Sequence, residues 1–249
     1  MNVIKKVMNT YWIKEIFTGS ICIFFILKFN TIAHLLEPLI GKEKNAIEWA
    51  PLYELTLEYL FVVVISSLIS FGFAFTIGIC VHLFELKSMK ELLLSLGSFG
   101  TTFPTIAVIA LLVPSLGYGF KPVIVALIMY GIFPILLNTI QGLEQVDRNL
   151  IQAAQGLGMT KFQQLYKVEL PLTMPLIIAG VKTSFIINIA AATVGSVVGA
   201  GGLGMPIVSG IRTNDSILII KGAIPVALIA MLANQLFTRL QNRPGWRSR

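Results

Sequence analysis

The stretch EQVDRNLIQAAQGLGMTKFQQLYKVELP, residues 144–171, is hydrophilic, yet the runs beside it carry no charge: Pro122 to Leu143 (22 residues) and Thr183 to Ile211 (29 residues). Outward from it the pattern repeats, because Tyr59 to Phe84 (26 residues) and Leu92 to Phe120 (29 residues) also lack Asp, Glu, Lys and Arg. Each run is long enough to cross a bilayer, which takes about 20 apolar residues as a helix. Two weaker runs, Ile16 to about Leu36 with Lys28 inside and Ser216 to Leu240 with Lys221 near one end, complete a set of six. Lipid offers no partner to bare backbone, and period-two alternation over about ten residues is absent, so these are helices and not barrel strands. The fold class is an all-α membrane protein.

The 249 residues are 55% apolar and 12% charged, with a mean hydropathy of +0.82. Six spans leave no room for a sizeable soluble domain, which excludes a soluble enzyme, a secreted disulfide scaffold and a fused receptor domain. The formal net charge of +7 is read as an orientation signal and not as a nucleic-acid footprint. With the N-terminus inside, twelve Lys and Arg fall on the inner side, against four outside: Lys42, Lys44, Lys121 and Arg212. Both termini are therefore expected in the cytoplasm. Lys5, Lys6 and Lys14 precede the first apolar run without a small-residue cleavage site, the pattern of an uncleaved signal anchor. Cys22 and Cys80 sit in apolar runs and read as small packing residues. Residues 1–50 then hold the N-terminal segment, the first span and the start of an outer loop; 51–240 form the membrane domain; 241–249 form a basic cytoplasmic tail.

Within 144–171 the spacing predicts two short helices joined by a turn. Asp147 can cap a first helix whose apolar face runs Leu150, Ala153, Ala154 and Leu157. Gly158 supplies a left-handed terminator, and Thr160 with Gln163 makes a capping box for a second helix with Phe162, Leu165 and Tyr166 on one face. Pro171 is expected to end this helix and open the next span. A compact helix-turn-helix facing the cytoplasm suits a membrane protein that a soluble partner grips.

Gln152-Ala153-Ala154, then Gly158, then Val168, Leu170 and Pro171, match residue by residue the pattern E-A-A-x3-G-x9-I-x-L-P. The chain thereby resembles the permease subunits of bacterial ABC importers. Gln152 stands for the glutamate and Val168 for the isoleucine; the first departure removes a charge. Further segments resemble the osmoprotectant permeases: Thr102-Phe103-Pro104-Thr105-Ile106-Ala107, Asn138-Thr139 through Gly142, Val198-Gly199-Ala200-Gly201-Gly202-Leu203-Gly204, and Gly222 to Ala227. The resemblance spans about Tyr59 to Leu240. It implies a type I importer core like that of the methionine permease, MetI-like, with import of glycine betaine, choline or carnitine. It further implies that 144–171 seats in a groove of an ATPase subunit, which binds the ATP and Mg, and that a second permease subunit and an extracytoplasmic binding protein complete the assembly. A permease for methionine or another small solute, and a non-transporting membrane assembly protein, are the rival readings.

Gly199, Gly201 and Gly204 also satisfy G-x-G-x-x-G, but no strand-helix-strand unit surrounds them, so a dinucleotide site is rejected. With Gly202 they suit close packing or a moving gate. Pro104, Pro114, Pro134 and Pro225 bend helices, and Asn138 and Asn188 place amides at membrane depth, where bonding between helices is the commoner fate. Pro104, Asn138 and Asn188 join the four glycines as candidate path or gate residues. Lys182 reads as a snorkelling anchor near the start of the fifth span. Phe103, Tyr118, Phe120 and Tyr130 are ordinary membrane aromatics and not a cage, which in this family belongs to the binding protein. His34 and His82 lack metal-ligand spacing and read as interface residues, and no G-x-x-x-x-G-K-[ST] loop occurs. No catalytic residue, metal or cofactor is expected in this chain.

Overall fold

A computed structural model describes residues 15–29, 31–32, 50–100 and 102–243, and the described residues form helices and no strand. The Lys5, Lys6 and Lys14 cluster, His34, most of the outer loop and the tail from residue 244 lie outside them. In chain order the helices are α1 over 15–29, α2 Leu52–Leu83, α3 Lys87–Gly100, α4 Thr105–Leu116, α5 Phe120–Glu144, α6 Arg148–Gly156, α7 Lys161–Gln164, α8 Leu170–Gly195, α9 Gly204–Thr213 and α10 Ser216–Gln241. Four helical stretches are long and apolar enough to cross a membrane: Leu52–Leu83, Phe120–Glu144, Lys161–Val198 and Ser216–Gln241.

Two of the uncharged runs are divided by the structure. Leu92 to Phe120 was expected as one span, but α3 stops at Gly100 and α4 starts at Thr105. Pro104 has no N–H for the helical ladder, and its ring keeps Phe103 out of the helical region. Phe120 then opens α5 after a turn through Gly117 and Gly119. Thr183 to Ile211 is likewise not one span. The crossing helix begins upstream of it, ends at Gly195, and passes through a 3-10 turn, Ser196–Val198, and a glycine-rich turn into α9. Absence of charge measures hydrophobic length; it does not say where the backbone breaks.

The chain forms two compact units. The first gathers residues 1–65, 105–127 and 189–236, and the second 66–104, 128–188 and 237–249. In the first, Asp215 caps α10 by accepting from the N–H groups of Ile217 (3.0 Å) and Leu218 (3.3 Å), and Gln235 reaches Thr18 of α1 at 3.1 Å.

In the second unit, Ala74 of α2 and Ile135, Leu136 and Ile140 of α5 form a buried core, with Leu93, Leu94 and Val181 packed against it. Lipid tails are as apolar as these side chains, so close packing and hydrogen bonds hold such helices together. A methyl group on Gly131 would sit 2.5 Å from Ser70 Oγ and 2.8 Å from Ser184 Oγ, which places α5 tight against both α2 and α8. Gly131→Ala is therefore expected to lower thermal stability in detergent by about 1–3 kcal/mol, the usual cost of overpacking. Gly72→Ala, whose added methyl meets nothing within 4 Å, is expected to be neutral or slightly stabilising. A thermal melt of the two variants side by side checks this.

Candidate functional site

Residues 144–171 lie in the second unit and fold as the helix-turn-helix that their spacing predicts. The Asp147 carboxylate accepts from Asn149 N–H at 2.9 Å and caps α6. The helix ends in a Schellman pair: Gly158 N–H bonds Gln155 O (2.9 Å) and Met159 N–H reaches back to Ala154 O (3.1 Å). Gly158 takes φ +76°, where a Cβ would crowd the backbone. Thr160 and Gln163 complete the capping box of α7.

The faces differ from the expected ones. Of Leu150, Ala153, Ala154 and Leu157 only Ala154 is buried; Ile151 lies beside it on the inner side, lining a cavity of about 180 Å³ with His82, Glu85 and Gln155. Phe162, Leu165 and Tyr166 are likewise not one face, since Leu165 is buried while Phe162 and Tyr166 are 67% and 70% exposed. A four-residue helix entering a wider turn does not keep the 3.6-residue register on which that grouping rested. Leu150, Leu157, Phe162 and Tyr166 consequently form outward apolar surface on the helix-turn-helix.

Pro171 does not end the second helix. The chain is helical without interruption from Lys161 to Val198, because Leu165–Glu169 widens into a π turn in which Leu170 N–H bonds Leu165 O. The wide turn makes room for a ring that would otherwise strike the carbonyl four residues back. Gln152 and Ala153 are exposed, and Val168, Leu170 and Pro171 are half-buried along this continuous rod.

Three pairs of acidic and basic side chains among the described residues of the second unit tie this segment to the end of α2, the turn after it and the start of α3, and none was anticipated from the sequence. His82 meets the buried Glu169, Lys90 meets Glu144, and Lys161 Nζ lies 2.5 Å from Glu85. His82 closes the last turn of α2, near a span end as expected. The Lys161 ammonium holds the Glu85 carboxyl below its ordinary range, so that pair persists as pH falls from neutral until the lowered value is reached. The only sequence signal was opposite charges just outside the spans.

The glycine-rich turn lies in the first unit. Gly199, Gly201 and Gly202 have φ between +69° and +81°, and Gly204 opens α9. Glu58 and Tyr59 of α2 clasp it: Glu58 Oε2 accepts from Gly202 N–H at 3.2 Å, and a Cβ on Gly202 would touch the Tyr59 backbone at 3.2 Å. The Tyr59 hydroxyl donates to Ile189 O at 2.5 Å and pairs with Thr193 Oγ1 at 2.9 Å. Gly119 N–H donates to Val198 O at 2.9 Å. Glu58 and Tyr59 were missed because they sit at the edge of an uncharged run with no motif around them.

The other path candidates are dispersed. Pro104 is exposed in the break between α3 and α4. Asn138 turns back on its own helix to Pro134 O at 2.8 Å. Asn188 is fully buried and donates to Ser67 Oγ of α2 at 3.0 Å, the expected bond between helices, while its Oδ1 is without a hydrogen-bond partner. Lys182 is not at the start of a span but in the middle of α8, where it bonds Thr238 Oγ1 at 2.9 Å. Among the aromatics, the Tyr130 hydroxyl donates to Phe103 O at 2.7 Å in the second unit, while Tyr118 and Phe120 belong to the first.

A family model described as "binding-protein-dependent transport system inner membrane component" matches residues 72–243. The chain is 37% identical over 175 residues to the glycine betaine/carnitine/choline transport system permease protein OpuCB of Bacillus subtilis, covering 70% of this chain and 80% of that protein. It is 32% identical to the osmoprotectant import permease protein OsmW of Salmonella typhimurium, covering 76% and 90%. Among solved structures it is similar to a chain of the MetNI methionine ABC transporter in an inward-facing conformation, with a TM-score of 0.66 at 19% identity over 76% of this chain and 94% of that one. That likeness concerns the fold.

The Gly158 geometry yields a direct test. Gly158→Val forces a β-branched residue into the left-handed region at a cost of about 1–2 kcal/mol. Amide hydrogen exchange is expected to quicken over residues 153–160 and to stay unchanged in α5 and α10.

Proposed function

Since the chain belongs to the family of binding-protein-dependent transport system inner membrane components, we propose that it is the membrane-spanning permease subunit of an ABC importer for osmoprotectants such as glycine betaine, choline or carnitine. It performs no covalent chemistry. The single observation that carries the mechanism is the continuity of the helical rod Lys161–Val198, whose first turns bear the outward apolar residues Phe162 and Tyr166. An amphipathic helix-turn-helix with Leu150, Leu157, Phe162 and Tyr166 outward fits the groove of a soluble ATPase. In this reading Gln152, Ala153, Ala154, Gly158, Val168, Leu170 and Pro171 build the docking element, and the three ion pairs make it move with α2, α3 and α5.

ATP and Mg belong to that partner, two permease subunits enclose the path, and an extracytoplasmic protein delivers the solute. The excess of Lys and Arg supports an orientation with both termini and the segment 144–171 in the cytoplasm. Closure of the ATPases would then press on the rod and shift the membrane helices between inward-open and outward-open arrangements. In this reading the turn around Gly199, Gly201, Gly202 and Gly204, clasped by Glu58 and Tyr59, acts as a gate, and Pro104, Asn138 and Asn188 are further candidates for the path. Gln152, lacking the charge of the family's glutamate, docks by hydrogen bonding and packing.

The complete importer in proteoliposomes, supplied with its binding protein and ATP, is expected to accumulate radiolabelled quaternary ammonium osmoprotectants. Replacing both Phe162 and Tyr166 with Asp is expected to abolish uptake and the substrate-stimulated part of ATP hydrolysis, while membrane insertion is retained. Undiminished uptake in that variant would contradict the coupling assignment.

A further inference from the structure

Beside the glycine turn the first unit holds a cavity of about 870 Å³, lined by Leu57, Glu58, Phe61 and Phe120 together with Gly199 and Gly201 among others. Glu58 is the one ionisable group in that lining. Its Oε2 accepts the Gly202 N–H, and no Lys, Arg or His among the described residues forms an ion pair with it. The carboxylate thus stands without a cationic partner among the described residues against an otherwise apolar wall. It lies in the second turn of α2, directly before the uncharged run Tyr59 to Phe84, and is exposed. Phe61 follows less than one helical turn later on the same side of α2, and Phe120 opens α5; both rings are more than half exposed.

We infer that this cavity binds a small alkylated ammonium cation, an inference that rests on the transport reading above and adds the permease's own ligand site to it. An exposed carboxylate beside an otherwise apolar wall attracts a countercharge. An alkylated ammonium ion has the right chemistry: it carries positive charge, its methyl groups match the apolar wall, and aromatic faces attract it. A hydrated metal ion would have to shed water without enough oxygen ligands to replace it. Gly201 lets the loop come this close, since a Cβ there would lie 2.9 Å from Glu58 Oε2. The site also discriminates. A plain cation such as choline gains the full attraction of Glu58, whereas a zwitterion such as glycine betaine brings a carboxylate of its own against it.

The complete importer is the test object. Glu58→Gln keeps a side-chain oxygen for the Gly202 N–H and removes the charge; Phe61→Leu keeps apolar volume and removes the ring. In proteoliposomes at sub-saturating substrate, Glu58→Gln is expected to cut choline uptake about tenfold and glycine betaine uptake by less than about twofold, and Phe61→Leu to lower both by about threefold. An equal fall for both solutes with Glu58→Gln, or none for choline, overturns the inference. A second measurement needs no variant: the detergent-solubilised wild-type complex without its binding protein should bind radiolabelled choline saturably, with tetramethylammonium a stronger competitor than glycine betaine. Glycine betaine uptake by the wild type without such choline binding overturns the site and leaves the transport reading standing. Absence of any osmoprotectant uptake by the wild type removes the transport reading itself.

Discussion

A peptide group in hydrocarbon has no water to fall back on, so each N–H and C=O must find its partner within the protein. That constraint produces the helices, but its consequences are clearest where the helices stop. The chain leaves helical geometry around Gly199 to Leu203, and the open groups there are met one by one: Gly119 N–H by Val198 O, Gly202 N–H by the Glu58 carboxylate, and Gly201 O by the Ser196 hydroxyl. A turn held by a few single bonds, on backbone that only glycine adopts readily, can be released without dismantling a helix. The same turn is where Glu58 presents its carboxylate.

From Lys161 to Val198 the chain is one helical rod. Had Pro171 broken the helix, a push on Phe162 would have been absorbed by a hinge. The π turn at Leu165–Glu169 accommodates the proline and preserves the connection. Buried Glu169 within that turn pairs with His82, so the point of greatest backbone irregularity is also anchored sideways. Removing His82 would leave the buried Glu169 carboxyl without this hydrogen-bond partner, a larger loss than at the exposed Lys161–Glu85 pair in the same unit.

Much of the local structure of 144–171 was legible in the residues. Asp147, Gly158, Thr160 and Gln163 act through neighbours at most five positions away, so cap, terminator and capping box follow from sequence order. The faces were not legible, because which side of α6 is buried depends on His82 of α2 and Glu85 of the turn after it. The same holds for Lys182, whose position in mid-helix follows from where α8 begins and whose partner, Thr238, lies 56 residues away.

By itself the sequence determined that the chain is a set of membrane helices, that one hydrophilic helix-turn-helix interrupts it, and which residues begin and end the first short helix and begin the second. Hydropathy and capping are properties of neighbouring residues, and neighbours are given by order. Tertiary structure alone decided which face of α6 is buried, that Lys182 meets Thr238, and that Glu58 reaches Gly202 across 144 positions. Those outcomes depend on which distant backbone groups and charges meet once the helices pack, and pairing at that range leaves no periodic trace in the chain.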